Sequence, residues 1–311
     1  MTSESAFIDT LRALATDPAA RGLVDDAAVL EMGGAALVLT HDMIVEGVHY
    51  LPGDPPGDVA WKLVAVNLSD LAAKGARPIG VLLGYALGDG AWDAAFAAGL
   101  ATALTAFGLP LLGGDTVAMP AGAPRAMGLT AIGRAARVPP SRAGARPGDL
   151  LWVSGTIGDA GAGLRALRGG LPCCEALVER YRLPRPRLEA GERLAPLVTA
   201  MMDVSDGLLL DASRMAAASA CGVEIELGSI PLSEAYLAAC GEARLDAATA
   251  GDDYELLFAA APDAAPALLA LAEEIGLPFS RIGRFEPGAA PRLTDAGAPV
   301  PLPARLGFEH G

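Results

Sequence analysis

Aspartates recur along this chain beside apolar segments, where a negative charge needs a partner. Asp70 is the most unusual of them, because it lies with Asn67 and Ser69 inside the apolar run of residues 63–73. A carboxylate in that setting is costly unless it is paired or bound to a cation. Several carboxylates together suit Mg²⁺, with Mn²⁺ or Ca²⁺ as substitutes. The pattern predicts a metal site centred on Asp70 and built from separate parts of the chain, the other candidates being Asp26, Asp42, Asp115, Asp203 and Asp206.

Taken singly, each of these aspartates has an ordinary explanation, because turns and helix N-caps favour Asp. Their combined positions are what favour a metal site. The sequence contains no Asp-x-Asp-x-Asp-Gly calcium loop, and no Ser/His/Asp or Cys/His arrangement stands out. It therefore predicts neither a general base nor a covalent nucleophile.

Two further features each leave two interpretations open. The glycine-rich residues 155–163 follow an apolar strand and precede a helix, so their backbone N–H groups could bind a phosphate. Tight packing of the strand against the helix explains the same glycines equally well. His49 lies in a loop near the acids, where it is either a ligand contact or an ordinary loop histidine.

The elements that position these residues alternate between strands and helices in both halves of the chain. A predicted strand at residues 35–40 delivers Thr40, His41 and Asp42 at its end. A predicted helix at residues 59–75 carries Asp70. Interleaved strands and helices of this kind are typical of an α/β or α+β protein.

A change in composition divides the chain. Residues 135–149 are rich in Arg, Pro and Gly and show no apolar period, which is typical of a junction between domains. The length of 311 residues also fits two domains. We therefore expect an N-terminal domain that carries most of the acids and a C-terminal α/β domain, with bounds at residues 1–138 and 139–311.

Composition excludes several classes of function. The chain is 52% hydrophobic and 19% charged, as in globular proteins, and its net charge of −14 argues against nucleic-acid and anionic-membrane partners. It has no Gly-Lys-Ser/Thr, which excludes a lysine-based nucleotide loop. The longest uncharged run, residues 94–114, is interrupted by Gly, Thr and Pro and does not predict a membrane span. The polar first residues predict no signal peptide, so a cytoplasmic location is expected.

Eight motifs in the chain closely resemble those of the thiamine-monophosphate kinase family, and they follow the family's order over nearly the whole length. Asn67-Leu-Ser-Asp70 and Gly113-Gly-Asp-Thr116 are shared with a wider superfamily of ATP-dependent synthetases. Asp203-Val-Ser-Asp-Gly-Leu208 and Asp253-Tyr-Glu-Leu256 are specific to the kinase. The others are Asp25-Asp-Ala-Ala-Val29, residues 40–49, Arg146-Pro-Gly-Asp149 and residues 153–160.

The resemblance implies an aminoimidazole ribonucleotide synthetase-like fold of two domains. Family members are homodimers whose N-terminal domains pair into a barrel-like sheet, each with a C-terminal α/β domain beside it. ATP and several Mg²⁺ ions lie in the cleft. The implied reaction transfers the γ-phosphate of ATP to thiamine monophosphate, giving thiamine diphosphate and ADP. The acceptor phosphate is largely dianionic at pH 7, so the transfer needs no general base.

The resemblance also implies roles for particular residues. The implied metal ligands are Asp26, Thr40, Asp42, Asp70, Asp115, Asp203 and Asp206, with His41 in a metal-site position that the family usually gives to Thr or Ser. The implied ATP contacts are Gly114, Asp115, Arg142 and Ser205. The implied substrate contacts are His49, Asp252 and Phe308, where Asp252 replaces the family's usual Glu.

Two alternatives remain at the level of the sequence. One is another ATP-dependent synthetase of the same superfamily. The other is a catalytically silent nucleotide-binding dimer, which the departures at His41 and Asp252 keep open.

Overall fold

The computed structural model describes residues 4–120 and 122–309, with backbone only for residues 4 and 5. The outermost ends of the two predicted domains, residues 1 and 311, lie outside the described residues. Two separate sheets are present in the part described, one in each half of the chain. The predicted mixture of strands and helices in two halves is therefore confirmed.

The N-terminal half forms a five-stranded sheet in the order β1-β2-β5-β3-β4, in which only β3 and β4 are parallel neighbours. A 3₁₀ helix at Pro18–Leu23 precedes the sheet. The elements of this half are α1 (Glu4–Arg12), β1 (Ala28–Met32), β2 (Ala35–Val45), α2 (Pro56–Ala73), β3 (Ala76–Leu87), α3 (Gly90–Phe107), β4 (Leu111–Ala118) and β5 (Ala126–Ala135).

The C-terminal half forms a mixed seven-stranded sheet in the order β12-β11-β8-β10-β6-β9-β7. Two short 3₁₀ helices lie at Leu227–Ser229 and Pro262–Ala264. The elements of this half are β6 (Leu150–Ser154), α4 (Asp159–Leu167), α5 (Glu175–Arg182), α6 (Leu188–Leu194), β7 (Ala200–Asp203), α7 (Leu208–Ala218), β8 (Gly222–Glu226), α8 (Glu234–Cys240), α9 (Arg244–Thr249), β9 (Leu256–Ala260), α10 (Ala265–Ile275), β10 (Phe279–Glu286), β11 (Pro291–Asp295) and β12 (Ala298–Val300).

Helix α2 is buried on nearly all sides because it lies between the two halves. From Val59 to Ala73 every residue except Trp61 is buried. One side packs on β2, β3 and β5, and another side packs on α6 and β7. Gly191 of α6 lies so close to the carbonyl group of Ala72 that a Cβ there would collide with it. A helix that is apolar all round is typical of this central position.

Strand β2 presents its residues alternately to the two faces of the sheet, as any strand does. Thr40 and Asp42 lie on the face that packs against α2, where Val38 and Ile44 are buried. His41 lies on the opposite face and is exposed.

The outer part of the N-terminal sheet carries apolar side chains that nothing in the described chain covers. All eight residues of the edge strand β4 are exposed. Leu111, Leu112 and Val117 of this strand are each about half exposed, and Ile79 on the adjacent strand β3 and Met43 on β2 are exposed as well. Monomeric proteins rarely leave a contiguous apolar patch and a long edge strand open to water.

Among the described helices, none combines the length and the apolar character that crossing a membrane requires.

Candidate active site

Three aspartates from distant parts of the chain meet between the two halves. Asp26 comes from the segment before β1, Asp70 from α2, and Asp203 from the end of β7. One carboxylate oxygen from each lies within 4.8 Å of the corresponding oxygens of the other two. We call these three residues the acidic cluster. The predicted convergence on Asp70 is thus seen for two of the five other aspartates by this criterion.

Burial and mutual repulsion disfavour the charged forms of these acids. Burial, followed by the charges of Asp42, Asp203 and Asp26, raises the pKa of Asp70 well above its usual value. Burial and Asp26 likewise raise the pKa of Asp203 to about 8. Burial, with Asp26 and Asp206 as further causes, raises the pKa of Asp42 to about 6. Asp42 therefore lies within electrostatic reach of the cluster, Asp206 lies within reach of Asp42, and the three acids with raised pKa values, Asp42, Asp70 and Asp203, favour binding protons or cations.

Two basic side chains already neutralise one edge of the cluster. The buried Lys74 Nζ lies 2.5 Å from Asp25 Oδ1 and 2.6 Å from Asp26 Oδ2, and it also donates to the Met201 carbonyl oxygen at 3.1 Å. Arg142 forms an ion pair with Asp26. Burial by itself raises the pKa of Asp26, but the charges of Lys74 and Arg142 outweigh it and lower that pKa.

This role of Lys74 was not predicted from the sequence. The available signal was the rarity of lysine, which occurs only at positions 62 and 74. Its contact with Met201 also joins the first half of the chain to the second. Lys74 is thus both a counter-charge and a tie between the halves.

The side chains around the cluster fit a hard divalent cation. Thr40 Oγ1 donates to Asp70 Oδ2, and Ser69 Oγ donates to Asp203 Oδ2 at 2.5 Å, so hydroxyl oxygens lie beside two of the three acids, whereas the third, Asp26, faces the nitrogens of Lys74 and Arg142. Asp26 Oδ2 is buried and accepts no well-directed hydrogen bond, although Lys74 lies near it. Such a set of oxygen donors matches the preference of Mg²⁺.

Ser205 and Asp206 lie in a turn that a buried acid holds in place. Asp211 Oδ2 accepts the backbone N–H groups of Ser205, Asp206 and Gly207 at 3.1–3.2 Å. Burial, with the charge of Asp206 as the next cause, raises the pKa of Asp211 to about 7. Arg214 pairs with both acids, at 3.1 Å from Asp211. Asp211 was not predicted from the sequence, although its place in the first turn of α7 was an available signal.

Three residues predicted for the metal and nucleotide sites lie apart from the cluster within the single chain. His41 Nδ1 lies 2.9 Å from Thr130 Oγ1, on the face of the sheet opposite Thr40 and Asp42. Gly114 and Asp115 lie on the exposed edge strand β4. A Cβ on Gly114 would collide with the Leu83 carbonyl oxygen, so glycine is required there for packing. The roles assigned to these three residues stay predictions.

The three residues predicted for substrate binding occupy two neighbouring places. Lys62 links the first two, because its Nζ donates to the His49 carbonyl oxygen at 2.9 Å and to Asp252 Oδ2 at 2.8 Å. Phe308 is about half exposed, and its backbone N–H donates to the Asp206 carbonyl oxygen at 2.8 Å. The Asp252 N–H likewise donates to the Ser205 carbonyl oxygen at 2.8 Å. Both Asp252 and Phe308 therefore lie next to the turn of Ser205 and Asp206.

The glycine-rich residues 155–163 serve tight packing. A Cβ on Gly155 would collide with the Glu255 carboxylate, and one on Gly163 would collide with the Leu177 backbone. The N–H group of Gly158 donates to both oxygens of buried Asp253, at 3.0 and 2.9 Å. The structure thus favours the packing interpretation over a phosphate loop.

Both halves of the chain match known family models. Residues 24–135 match the N-terminal domain of AIR synthase related proteins, and residues 146–296 match the C-terminal domain. The two domains are thus those of the AIR synthase related class, and the fold class expected from the sequence is confirmed.

Individual relatives narrow this class. The thiamine-monophosphate kinase of Caulobacter vibrioides is 42% identical over 307 residues, covering 95% of this chain and 86% of that protein. The crystal structure of thiamine-monophosphate kinase from Stenotrophomonas maltophilia K279a is 36% identical, with a TM-score of 0.76 and coverage of 94% and 96%. A structure described as AaThiL complexed with AMPPCP and TMP is 29% identical, with a TM-score of 0.86 and coverage of 99% and 97%. The chain belongs to the thiamine-monophosphate kinase family.

Proposed function

We propose that this protein transfers the γ-phosphate of ATP to thiamine monophosphate, giving thiamine diphosphate and ADP. The observation that carries the proposal is the acidic cluster, which three separate segments build at the junction of the two halves. Family membership supports it, as does the similar AaThiL structure, which is described as complexed with AMPPCP and TMP. ATP is accordingly the proposed co-substrate and thiamine monophosphate the proposed acceptor.

The proposed metal is Mg²⁺, in several copies. Bound ions would neutralise and bridge the phosphates of two polyanions that an acidic protein would otherwise repel. The chain's own contribution is the oxygen donor set, for which we propose Asp26, Thr40, Asp42, Asp70, Asp203 and Asp206, with Asp115 and His41 as further candidates. The raised pKa values of Asp70 and Asp203 support this role, because a cation can replace the protons that these acids otherwise keep.

Phosphoryl transfer in this site requires positioning more than proton transfer. The acceptor phosphate is its own nucleophile, so the residues need only hold it in line with the γ-phosphate and exclude water. Arg142 is positioned beside Asp26, where its guanidinium can contact a phosphate. We propose nucleotide contacts at Gly114, Asp115, Arg142 and Ser205. For the acceptor we propose His49, Asp252 and Phe308.

We further propose that the chain acts as a homodimer. The support is the uncovered apolar surface at the edge of the N-terminal sheet, where all of β4 is exposed. A second copy that pairs through β4 would cover this surface and satisfy the edge strand. The predicted roles of Gly114 and Asp115 also fit this arrangement, because both lie on β4 and could face a site completed by the partner.

We propose the same domain bounds as were expected from the sequence. Residues 1–138 form the domain for nucleotide, metal and dimer contacts, and residues 139–311 form the C-terminal α/β domain. The support for this division is that, within the described residues, each strand belongs to one sheet only. Because the proposed donor is ATP, we also propose that the reaction takes place in the cytoplasm.

One assay tests the proposed reaction. The purified protein is incubated with ATP and Mg²⁺ and offered thiamine monophosphate or thiamine, and the products are identified by mass spectrometry. We expect thiamine diphosphate and one equivalent of ADP from thiamine monophosphate, and no product from thiamine. ATP consumed without thiamine diphosphate would point to another ATP-dependent synthetase of the superfamily. ATP bound without any turnover would point to a silent nucleotide-binding dimer.

A further inference from the structure

A lysine that no motif singled out lies at the point where the two halves meet the proposed acceptor site. Lys62 of α2 is only 2% exposed. Its ammonium group donates to the His49 carbonyl oxygen at 2.9 Å and to Asp252 Oδ2 at 2.8 Å, and it lies 4.0 Å from the centre of the Tyr181 ring. A buried ammonium is stable only with such partners.

We propose that Lys62 is a positioning residue that fixes the spacing between the His49 loop and Asp252, and thereby sets the affinity for the acceptor. The inference rests on the proposed function, because that function makes His49 and Asp252 acceptor contacts. It adds a residue that touches neither ATP nor the acidic cluster. Lys62 acts through the Asp252 carboxylate and the His49 carbonyl group that it holds.

The conformation of Asp252 shows how tightly this contact is specified. Its backbone adopts a φ of 71°, which is unfavourable for a residue other than glycine and is held by the surrounding structure. Its N–H donates to the Ser205 carbonyl oxygen at 2.8 Å. Its Oδ1 accepts from the Tyr254 hydroxyl at 3.1 Å, and its Oδ2 accepts from Lys62. Each carboxylate oxygen therefore has one fixed partner, which orients the group.

The Lys62 contact also determines what Asp252 can offer a ligand. The Asp252 side chain is 24% exposed, so part of the carboxylate faces open space. Because the neighbouring ammonium offsets its charge, the carboxylate acts toward a ligand as an oriented hydrogen-bond acceptor. This chemistry suits an N–H or amino group on a heteroaromatic acceptor more than it suits a bare cation.

Other contacts between the halves lie beside Lys62 but do not reach Asp252. Trp61 Nε1 donates to the Pro184 carbonyl oxygen at 2.9 Å. Arg182 pairs with Asp54 at 2.8 Å. Trp61→Phe is therefore a matched control: it removes a neighbouring tie between α2 and the second half of the chain and leaves the Lys62–Asp252 pair in place.

The test compares steady-state kinetics of Lys62→Met and Trp61→Phe with those of the wild type. Met preserves the buried apolar stem of Lys and removes the charge. For Lys62→Met we expect the KM for thiamine monophosphate to rise about 10- to 100-fold, as for the loss of a charge-assisted hydrogen bond. The KM for ATP and kcat should stay within about twofold. Trp61→Phe should leave all three constants within about twofold.

The double variant Lys62→Met/Asp252→Asn tests whether Lys62 acts through Asp252. It also removes both charges of the pair, so it can be measured even if Lys62→Met alone fails to fold. Its KM for thiamine monophosphate should equal that of Asp252→Asn within about twofold. An effect of Lys62→Met that persists in full on the Asp252→Asn background would overturn the proposal. So would an unchanged acceptor KM in folded Lys62→Met, or an equal rise in Trp61→Phe.

The wild-type control separates this inference from the proposed function. A wild type that phosphorylates thiamine monophosphate, beside a Lys62→Met variant with the same acceptor KM, refutes the role of Lys62 alone. A wild type that does not phosphorylate thiamine monophosphate refutes the proposed function and this inference together.

Discussion

The substitution Asp70→Asn should change activity and metal-free stability in opposite directions. Asn keeps the size of the side chain and can still accept the hydrogen bond from Thr40 Oγ1, but it carries no charge. Burial and three neighbouring acids raise the pKa of Asp70 well above its usual value. Without a bound cation the charged carboxylate is therefore unfavourable, and its removal should stabilise the folded protein.

The size of this effect follows from the separations within the acidic cluster. The ligand atoms of Asp26, Asp70 and Asp203 lie within 4.8 Å of one another. Two unit charges at that separation repel each other by about 3 kcal/mol at an effective dielectric constant of about 20. Retained protons relieve part of this repulsion in the wild type. We therefore expect Asp70→Asn to gain about 1–3 kcal/mol in the free energy of unfolding without metal near pH 8.

Two measurements check this prediction. Urea unfolding in the presence of EDTA gives the stability, and product formation at saturating Mg²⁺ gives the activity. We expect kcat of Asp70→Asn to fall by about 10³-fold or more, because the metal loses a ligand. Asp263→Asn, which removes an exposed carboxylate, is the control and should change neither quantity. Near-normal turnover in Asp70→Asn, or a loss of metal-free stability, would refute the reasoning.

Three further predictions follow from the same structure. Burial and neighbouring acids raise the pKa of Asp42 to about 6 and that of Asp203 to about 8, so the folded metal-free protein holds protons that the unfolded chain releases. The melting temperature of the metal-free protein in EDTA should therefore fall as the pH rises from about 4 to 8, and added Mg²⁺ should remove this pH dependence. A melting temperature that rises between about pH 4 and pH 8 would contradict the prediction. Val117→Asp on β4 should convert the proposed dimer to a 31.4 kDa monomer in light scattering, whereas Leu269→Asp, on an exposed face of the other half, should not. Asp211→Asn should raise the KM for ATP by about tenfold, because the amide group cannot accept from the three backbone N–H groups as the carboxylate does. Unchanged ATP kinetics would exclude a role of Asp211 in positioning the turn of Ser205 and Asp206.

The sequence predicted that aspartates converge on Asp70, and two of the five others do so in the structure, because an acid beside an apolar segment is recognisable locally. A carboxylate at Asp70 inside an apolar helix is visible without a structure, and so are acids at the ends of apolar strands. The side of the sheet on which His41 lies was also predictable, because side chains alternate along a strand. His41 lies between Thr40 and Asp42 in the sequence and therefore points to the opposite face of β2. Resemblance alone had grouped His41 with the metal ligands, and the geometry of the single chain separates them.

The buried lysines could not be predicted in the same way. Lys62 and Lys74 are ordinary helix residues by sequence, and their burial depends on how the second half of the chain covers α2. One partner of each lysine, Asp252 for Lys62 and the Met201 carbonyl oxygen for Lys74, lies more than a hundred residues away. A related limit applies to β11 and β12, because their short Pro-containing sequences become strands only through pairing, β11 with β8 and β12 with β11.

The central claim is that the acidic cluster holds the divalent ions on which phosphoryl transfer depends. Mn²⁺ replaces Mg²⁺ at oxygen sites and scatters anomalously, so crystals grown with Mn²⁺ and a non-hydrolysable ATP analogue test it directly. We predict anomalous peaks in coordination contact with Asp26, Asp70 and Asp203, and their loss in Asp70→Asn crystals. A bound nucleotide with no anomalous peak at these three carboxylates would contradict the account.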